Sequence, residues 1–239
     1  MNFFTSFNSL IFSIAIDSSN LNVYVLDSGN NRIQKFDSNG NPLNSWTING
    51  TSDISSSSNR VSNLTSIAVD YSGNVYHSAS TSNKIFKYTT DGSFINSWGS
   101  NGKDSGQFSS PTGIAVYQSG NYVYVIDHNN FRIQKFDSDG KFIAAWGSQG
   151  TADGQFKNPT AIAVDSVGNV YVADSGNFNI QKFDSDGKFI SKWSTKSSVT
   201  GESSSSSNPT GIAVDTKSGN LYIADVTNNQ VKVLDQSTS

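Results

Sequence analysis

The tetrapeptide Ile-Ala-hydrophobic-Asp occurs at Ile14–Asp17, Ile67–Asp70, Ile162–Asp165 and Ile212–Asp215, with Ile114–Tyr117 as a variant. These five copies are spaced 53, 47, 48 and 50 residues apart. A period of this length marks a tandem array, in which a supersecondary unit recurs because one copy cannot bury its apolar faces alone. Within each copy the order is constant. A short apolar run, a Gly/Asn turn, a Val/Tyr-rich run and an Asn-rich turn are followed by an Ile-Gln-Lys-Phe type run, an Asp-Gly turn and a last run ending in Trp. Nineteen residues separate Asp27 from Trp46, Ala79 from Trp98, Asp127 from Trp146 and Asp174 from Trp193. Each copy therefore reads as four strands, A to D. Turn signals about every 8 to 12 residues, with no helical period, fit an all-β meander.

The expected fold is an all-β propeller of five visible four-stranded blades, in which sheets radiate from an axis. One domain spans residues 1–239, with repeats at about 12–49, 64–101, 111–149, 159–196 and 209–235. Ala15, Ala68, Ala115, Ala163 and Ala213 share one position of the innermost strand, where blades converge and a small side chain fits. The Trp and Phe residues fall in the outer strands, where the wedge between sheets widens. The fifth copy stops at Val231–Asp235 without its Trp-bearing strand. Residues Asn2–Phe7 resemble Ser93–Trp98 and could supply that strand, closing the array. Alternatively Phe7 aligns with Phe108 and Phe156 of the Gly-Gln-Phe motif, leaving an open or incomplete six-bladed ring. Both alignments stand at this point. Ser52–Asn59 and Gly201–Asn208 are Ser-rich and read as surface loops.

The residues that carry a family likeness are Gly211–Asp215, Gly168–Asp174, Asn30–Phe36, and Trp146–Ser148 with Asp153–Phe156. In fixed order they resemble the NHL repeat family over roughly residues 12–235. The resemblance implies a propeller, usually six-bladed, that serves as a binding platform for proteins or RNA. Tripartite-motif ubiquitin ligases and sensor domains of bacterial kinases carry such repeats, and related propellers act as metal-dependent lyases and hydrolases. This chain has no RING-type Cys/His cluster and no kinase region, so the resemblance extends to the propeller alone.

Composition narrows the function. A net charge of −3, a pI near 5.2 and 15% charged residues argue against a strongly basic nucleic-acid or anionic-membrane binder. The absence of Cys excludes disulfides and thiolate metal sites, and two His cannot build a three-His metal centre. No run approaches the roughly 18 apolar residues of a membrane-spanning helix. Phe7–Ile16 has some signal-peptide character but lacks a basic n-region, so no compartment is assigned.

Long D-to-A connections and the B-to-C turns share one face of such a meander, and loops on a rigid scaffold are where binding resides. The B-to-C turns are Ser28–Arg32, Ser80–Lys84, His128–Arg132, Ser175–Asn179 and Val226–Gln230. Their fourth member is Asn in three copies but Phe131 and Phe178 in the other two. An exposed aromatic pair flanked by Arg132 and His128 is the expected binding surface, with Arg32 at the matching turn of the first copy. Thr112, Thr160 and Thr210, with Thr65, lie two residues before the inner-strand Ile. They either meet a small polar ligand or satisfy backbone groups where strand A begins.

Asp27, Asp127, Asp174 and Asp225 end the B strands and read as turn caps, because a catalytic group is needed once rather than in every copy. Asp17, Asp70, Asp165 and Asp215 read the same way. Asp137–Gly140 and Asp184–Gly187 begin like calcium loops but lack the distant Glu, and read as hairpin turns. Lys35, Lys87, Lys135 and Lys182 read as a solvated stripe, or more sharply as an RNA phosphate track; His77 reads as core-facing. No catalytic constellation and no cofactor is expected. The sequence reading is a non-enzymatic scaffold for a protein or peptide partner, with single-stranded RNA binding and a metal-dependent lyase or lactonase as alternatives.

Overall fold

The computed structural model describes residues 11–48, 64–119, 121–195 and 208–235. Residues 2–7 and the two Ser-rich stretches, apart from Asn208, lie outside the described residues, and with them the two alignments of the N-terminal strand. The fold is a β-propeller whose five blades are antiparallel sheets. Its contacts group into two compact units, residues 1–112 and 113–239.

The first unit holds β1 (Ile11–Ile16), β2 (Val23–Asp27), β3 (Arg32–Phe36) and β4 (Pro42–Thr47), paired in that order. Its second sheet runs β5 (Leu64–Val69), β6 (Val75–Ala79), β7 (Lys84–Tyr88), β8 (Phe94–Trp98). The next sheet is β9 (Pro111–Tyr117), β10 (Tyr122–Asp127), β11 (Arg132–Asp137) and β12 (Phe142–Trp146); its strand β9 begins at the boundary and the rest belongs to the second unit. A parallel pair, β13 (Ser148–Gln149) with β14 (Gln155–Phe156), follows. Then come β15 (Pro159–Val164), β16 (Val170–Asp174), β17 (Asn179–Phe183) and β18 (Phe189–Ser194). The fifth sheet has three strands among the described residues: β19 (Pro209–Val214), β20 (Leu221–Asp225), β21 (Gln230–Leu234). Three inner strands open on Pro111, Pro159 or Pro209, at the strand start where a missing N–H costs no ladder bond.

In the first four sheets strands B and C are largely buried on both faces, which explains why Val23–Leu26 does not alternate, whereas β20 and β21 of the fifth sheet do alternate. Each of the first four sheets presents a Tyr to the outer-strand Trp: Tyr24 meets Trp46 edge-on at 6.4 Å and Tyr124 meets Trp146 at 6.0 Å. Beside each Tyr in register stands a strand-C Lys. Tyr24 pairs with Lys35, Tyr76 with Lys87, Tyr124 with Lys135 and Tyr171 with Lys182. The ammonium groups lie over those rings, at 5.4, 5.4, 5.9 and 5.2 Å from the centroids. Lys87 and Lys135 are buried. The solvated stripe and the phosphate track are both corrected by this packing, because the aliphatic stems cover the sheet and the charges are held over Tyr rings.

The second sheet departs from the others at the middle of strand B. Val25, Val125 and Val172 occupy that position elsewhere, whereas here it is His77, fully buried and stacked on Phe86 and Tyr88 at 4.9 and 5.7 Å. Neither ring nitrogen has a hydrogen-bond partner among the described residues. Burial pushes its pKa down to about 3, so the folded chain holds it neutral while an unfolded chain protonates it near 6.5. Stability from this residue is therefore complete above about pH 6.5 and falls by about 1.4 kcal/mol per unit as the pH drops toward 3. His77→Val removes that slope. Urea midpoints of the two proteins should diverge in the variant's favour between pH 6 and 4; parallel titration curves would contradict the assignment.

Candidate functional site

The B-to-C turns are built alike. Their fourth residue adopts the left-handed conformation, with φ of 53° at Asn31 and Asn83, 54° at Phe131, 55° at Phe178 and 49° at Asn229. Asn tolerates this region because its short amide bonds locally, while an aromatic side chain there carries about 1–2 kcal/mol of backbone strain. The Asn rule seen in the sequence is thus a backbone rule, and Phe131 and Phe178 break it at a cost.

Inside the turns, the strand-ending carboxylates are buried hubs. Asp27 accepts hydrogen bonds from Asn30 Nδ2, Arg32 Nε at 2.8 Å and Gln34 Nε2, and Asp127 repeats the set with Asn130, Arg132 Nε at 2.7 Å and Gln134. Burial by itself raises the Asp27 pKa; the bonds from Asn30 and Arg32 and the Arg32 charge outweigh it and hold the carboxyl below the usual range. Arg32 and Arg132, candidate ligand contacts in the sequence, each commit a guanidinium Nε to their own turn. Asp225 is met by Lys232 Nζ at 3.0 Å. Asp174 has no arginine: it accepts from the backbone N–H groups of Lys157 and Asn158 at 2.9 and 2.8 Å, and from Asn177 Nδ2.

The other candidates divide. His128 Nδ1 stands 3.0 Å from the Pro159 carbonyl, which can only accept, so Nδ1 carries the proton. Thr160 Oγ1 donates to the Pro209 carbonyl at 2.7 Å, and Thr65 Oγ1 to that of Pro111 at 3.2 Å. These hydroxyls join one inner strand to the start of the next. Thr112 has a buried hydroxyl with no partner among the described residues, and Thr210 is exposed. Asp137 and Asp184 accept from backbone N–H groups of their own hairpin turns. Among the described residues no three His, Cys, Asp or Glu side chains converge as a metal group would require. Phe131 is half-buried and packs on the cluster of Ile133, Phe156, Ile162 and Phe183.

Phe178 instead lines a pocket of about 590 Å³, together with Thr151, Lys157, Gly176, Asn177, Asn179, Lys192 and Ser194. That volume lies in the range of small-ligand sites. Asn179 occupies the position of Arg32 and Arg132 and lines the pocket with a shorter, uncharged side chain. Gly176 lets the connection approach, since a Cβ there would come within 2.9 Å of the Lys157 Cβ. Sequence reasoning found Phe178 but not Asn179 or the two lysines; the Arg-to-Asn change in the fourth turn was the available signal.

The NHL repeat model matches residues 13–36 and 207–234, the first three strands of the first and fifth sheets. The chain is a β-propeller that carries NHL repeats in those two segments. The model of the SMP-30/Gluconolactonase/LRE-like region matches residues 103–205 of the same propeller. No curated protein matches it significantly by sequence. Among solved structures, the NHL propeller is similar to selenomethionine-substituted virginiamycin B lyase from Staphylococcus aureus, at 18% identity and a TM-score of 0.67, covering 95% of this chain and 67% of that one. A streptogramin B lyase gives 17% and 0.67, covering 97% and 70%. A nidogen/laminin complex gives 18% and 0.71, covering 95% and 76%. At these identities the likeness is one of fold.

Proposed function

We propose that this NHL propeller is a non-enzymatic interaction module that binds a protein or peptide partner on the face formed by its B-to-C turns and D-to-A connections. The observation that carries the reading is Phe178, an aromatic residue held at φ 55° where the repeat elsewhere prefers Asn, at the wall of an open pocket on that face. Strained residues persist where the surroundings or the function require them. His77 is buried inside the first unit, and His128 is oriented by its Nδ1–H bond to a backbone carbonyl. The nidogen/laminin complex is an instance of this fold engaged with a protein.

The test exploits the turn itself. Phe178→Asn restores the residue the left-handed position favours, so it should melt at or above the parent temperature. A buried aromatic anchor is worth about 2 kcal/mol or more of binding, so the same variant should lose at least tenfold in partner affinity. A quantitative pull-down with parent and variant, followed by titration of the captured partner, measures both. Equal capture by the two proteins would refute this face as the interface.

A further inference from the structure

Resting on that reading, the geometry points to the Phe178 pocket as a receptor for an acidic peptide segment, one carrying a carboxylate beside an apolar side chain. Three features define the ligand. The first is charge: Lys157 and Lys192 line the pocket, and Lys157 makes no ion pair among the described residues. Lys192 is held by the exposed Asp153, Nζ to Oδ1 at 2.5 Å, a carboxylate contact that an incoming Asp or Glu can replace. The second is the Phe178 ring, which offers an apolar wall. The third is Asn179, 7% exposed, whose Oδ1 has no hydrogen-bond partner among the described residues although the residue lines the pocket. A buried acceptor left unpaired is costly, and a ligand N–H removes that cost.

A peptide satisfies all three demands at once: a side-chain carboxylate for the lysines, an apolar side chain for Phe178, and a backbone N–H for Asn179. A nucleic acid fits less well. Asp153 at the rim repels a polyanion more than a single carboxylate, and the two lysines offer no continuous track for a phosphate backbone. Thr151 and Asn177 complete the lining with polar groups suited to a peptide backbone.

The experiment uses the full chain and an array of fluorescein-labelled nine-residue peptides. Each contains two or three Asp or Glu beside one Leu or Phe, and each has a counterpart with Asn and Gln in place of the acids; a ten-nucleotide oligouridylate is the third probe. The acidic set should bind at least fivefold more tightly than its amide counterparts, and Lys157→Gln should weaken the best peptide at least fivefold. Asp153→Asn, which frees Lys192, should tighten it, a gain that misfolding cannot produce. Equal binding of acidic and amide sets, indifference to both variants, or tighter binding of the oligouridylate would overturn the proposal. If the acidic set is not preferred while Phe178→Asn still abolishes partner capture, the interaction face stands and only the acidic-peptide assignment falls.

Discussion

Gly187→Ala should destabilise the second unit by about 2 to 5 kcal/mol. Gly187 closes the C-to-D hairpin of its sheet at φ +88°, and its backbone lies against the Trp146 ring of the preceding sheet. A Cβ there would overlap the indole, with Trp146 Cγ at 2.7 Å. The indole cannot yield cheaply, because it is packed against Tyr124 and Phe183 at 6.0 Å from each ring centroid. Gly92 stands in the same relation to Trp46 in the first unit, so the contact is a repeated joint between neighbouring sheets. Gly219 supplies the control, since it has φ +78° but nothing within 4 Å of an added Cβ. Gly219→Ala should cost only the backbone strain, about 1–2 kcal/mol. Urea midpoints at constant slope compare the two, and equal losses would mean that the indole contact contributes little.

Asp127→Ala should cost a further class of stability, about 3–5 kcal/mol, because removing one member of a buried ion pair leaves the other charge without compensation. Asp127 is fully buried and Arg132 is 16% exposed at the side chain. Asn130 and Gln134 lose an acceptor in the same step. Asp127→Asn keeps one acceptor oxygen and should lose distinctly less. The measurement is again denaturant unfolding; an alanine variant as stable as the asparagine variant would show that the carboxylate charge is not what holds the turn.

The four-stranded unit, its order and its turns were legible because each rests on local chemistry: short apolar runs without a helical period, Asp-Gly hairpins, and a Trp at constant distance from the end of strand B. The structural role of the repeated Asp residues was legible too, through their repetition. The lysines were not. Their spacing placed them on one strand, but only the cross-strand register, Tyr124 opposite Lys135 for example, put each ammonium over a ring. Phe131 and Phe178 looked equivalent as sequence, sharing one turn position. Phe131 packs on a core cluster and Phe178 lines the pocket, a difference that their shared turn position did not reveal.

By itself, the sequence determined that this chain builds five copies of an antiparallel meander, that its B-to-C turns carry Asn at their fourth position in three copies and Phe in two, and that its strand-ending carboxylates recur as scaffold. Those properties follow from hydrogen-bonding patterns within a few tens of residues. The tertiary structure alone decided where an unpaired acceptor, two lysines and an aromatic ring meet. That meeting joins the connection around Thr151 and Lys157, the turn at Gly176–Asn179, and the outer strand β18, three segments brought together by packing between sheets rather than by any spacing along the chain.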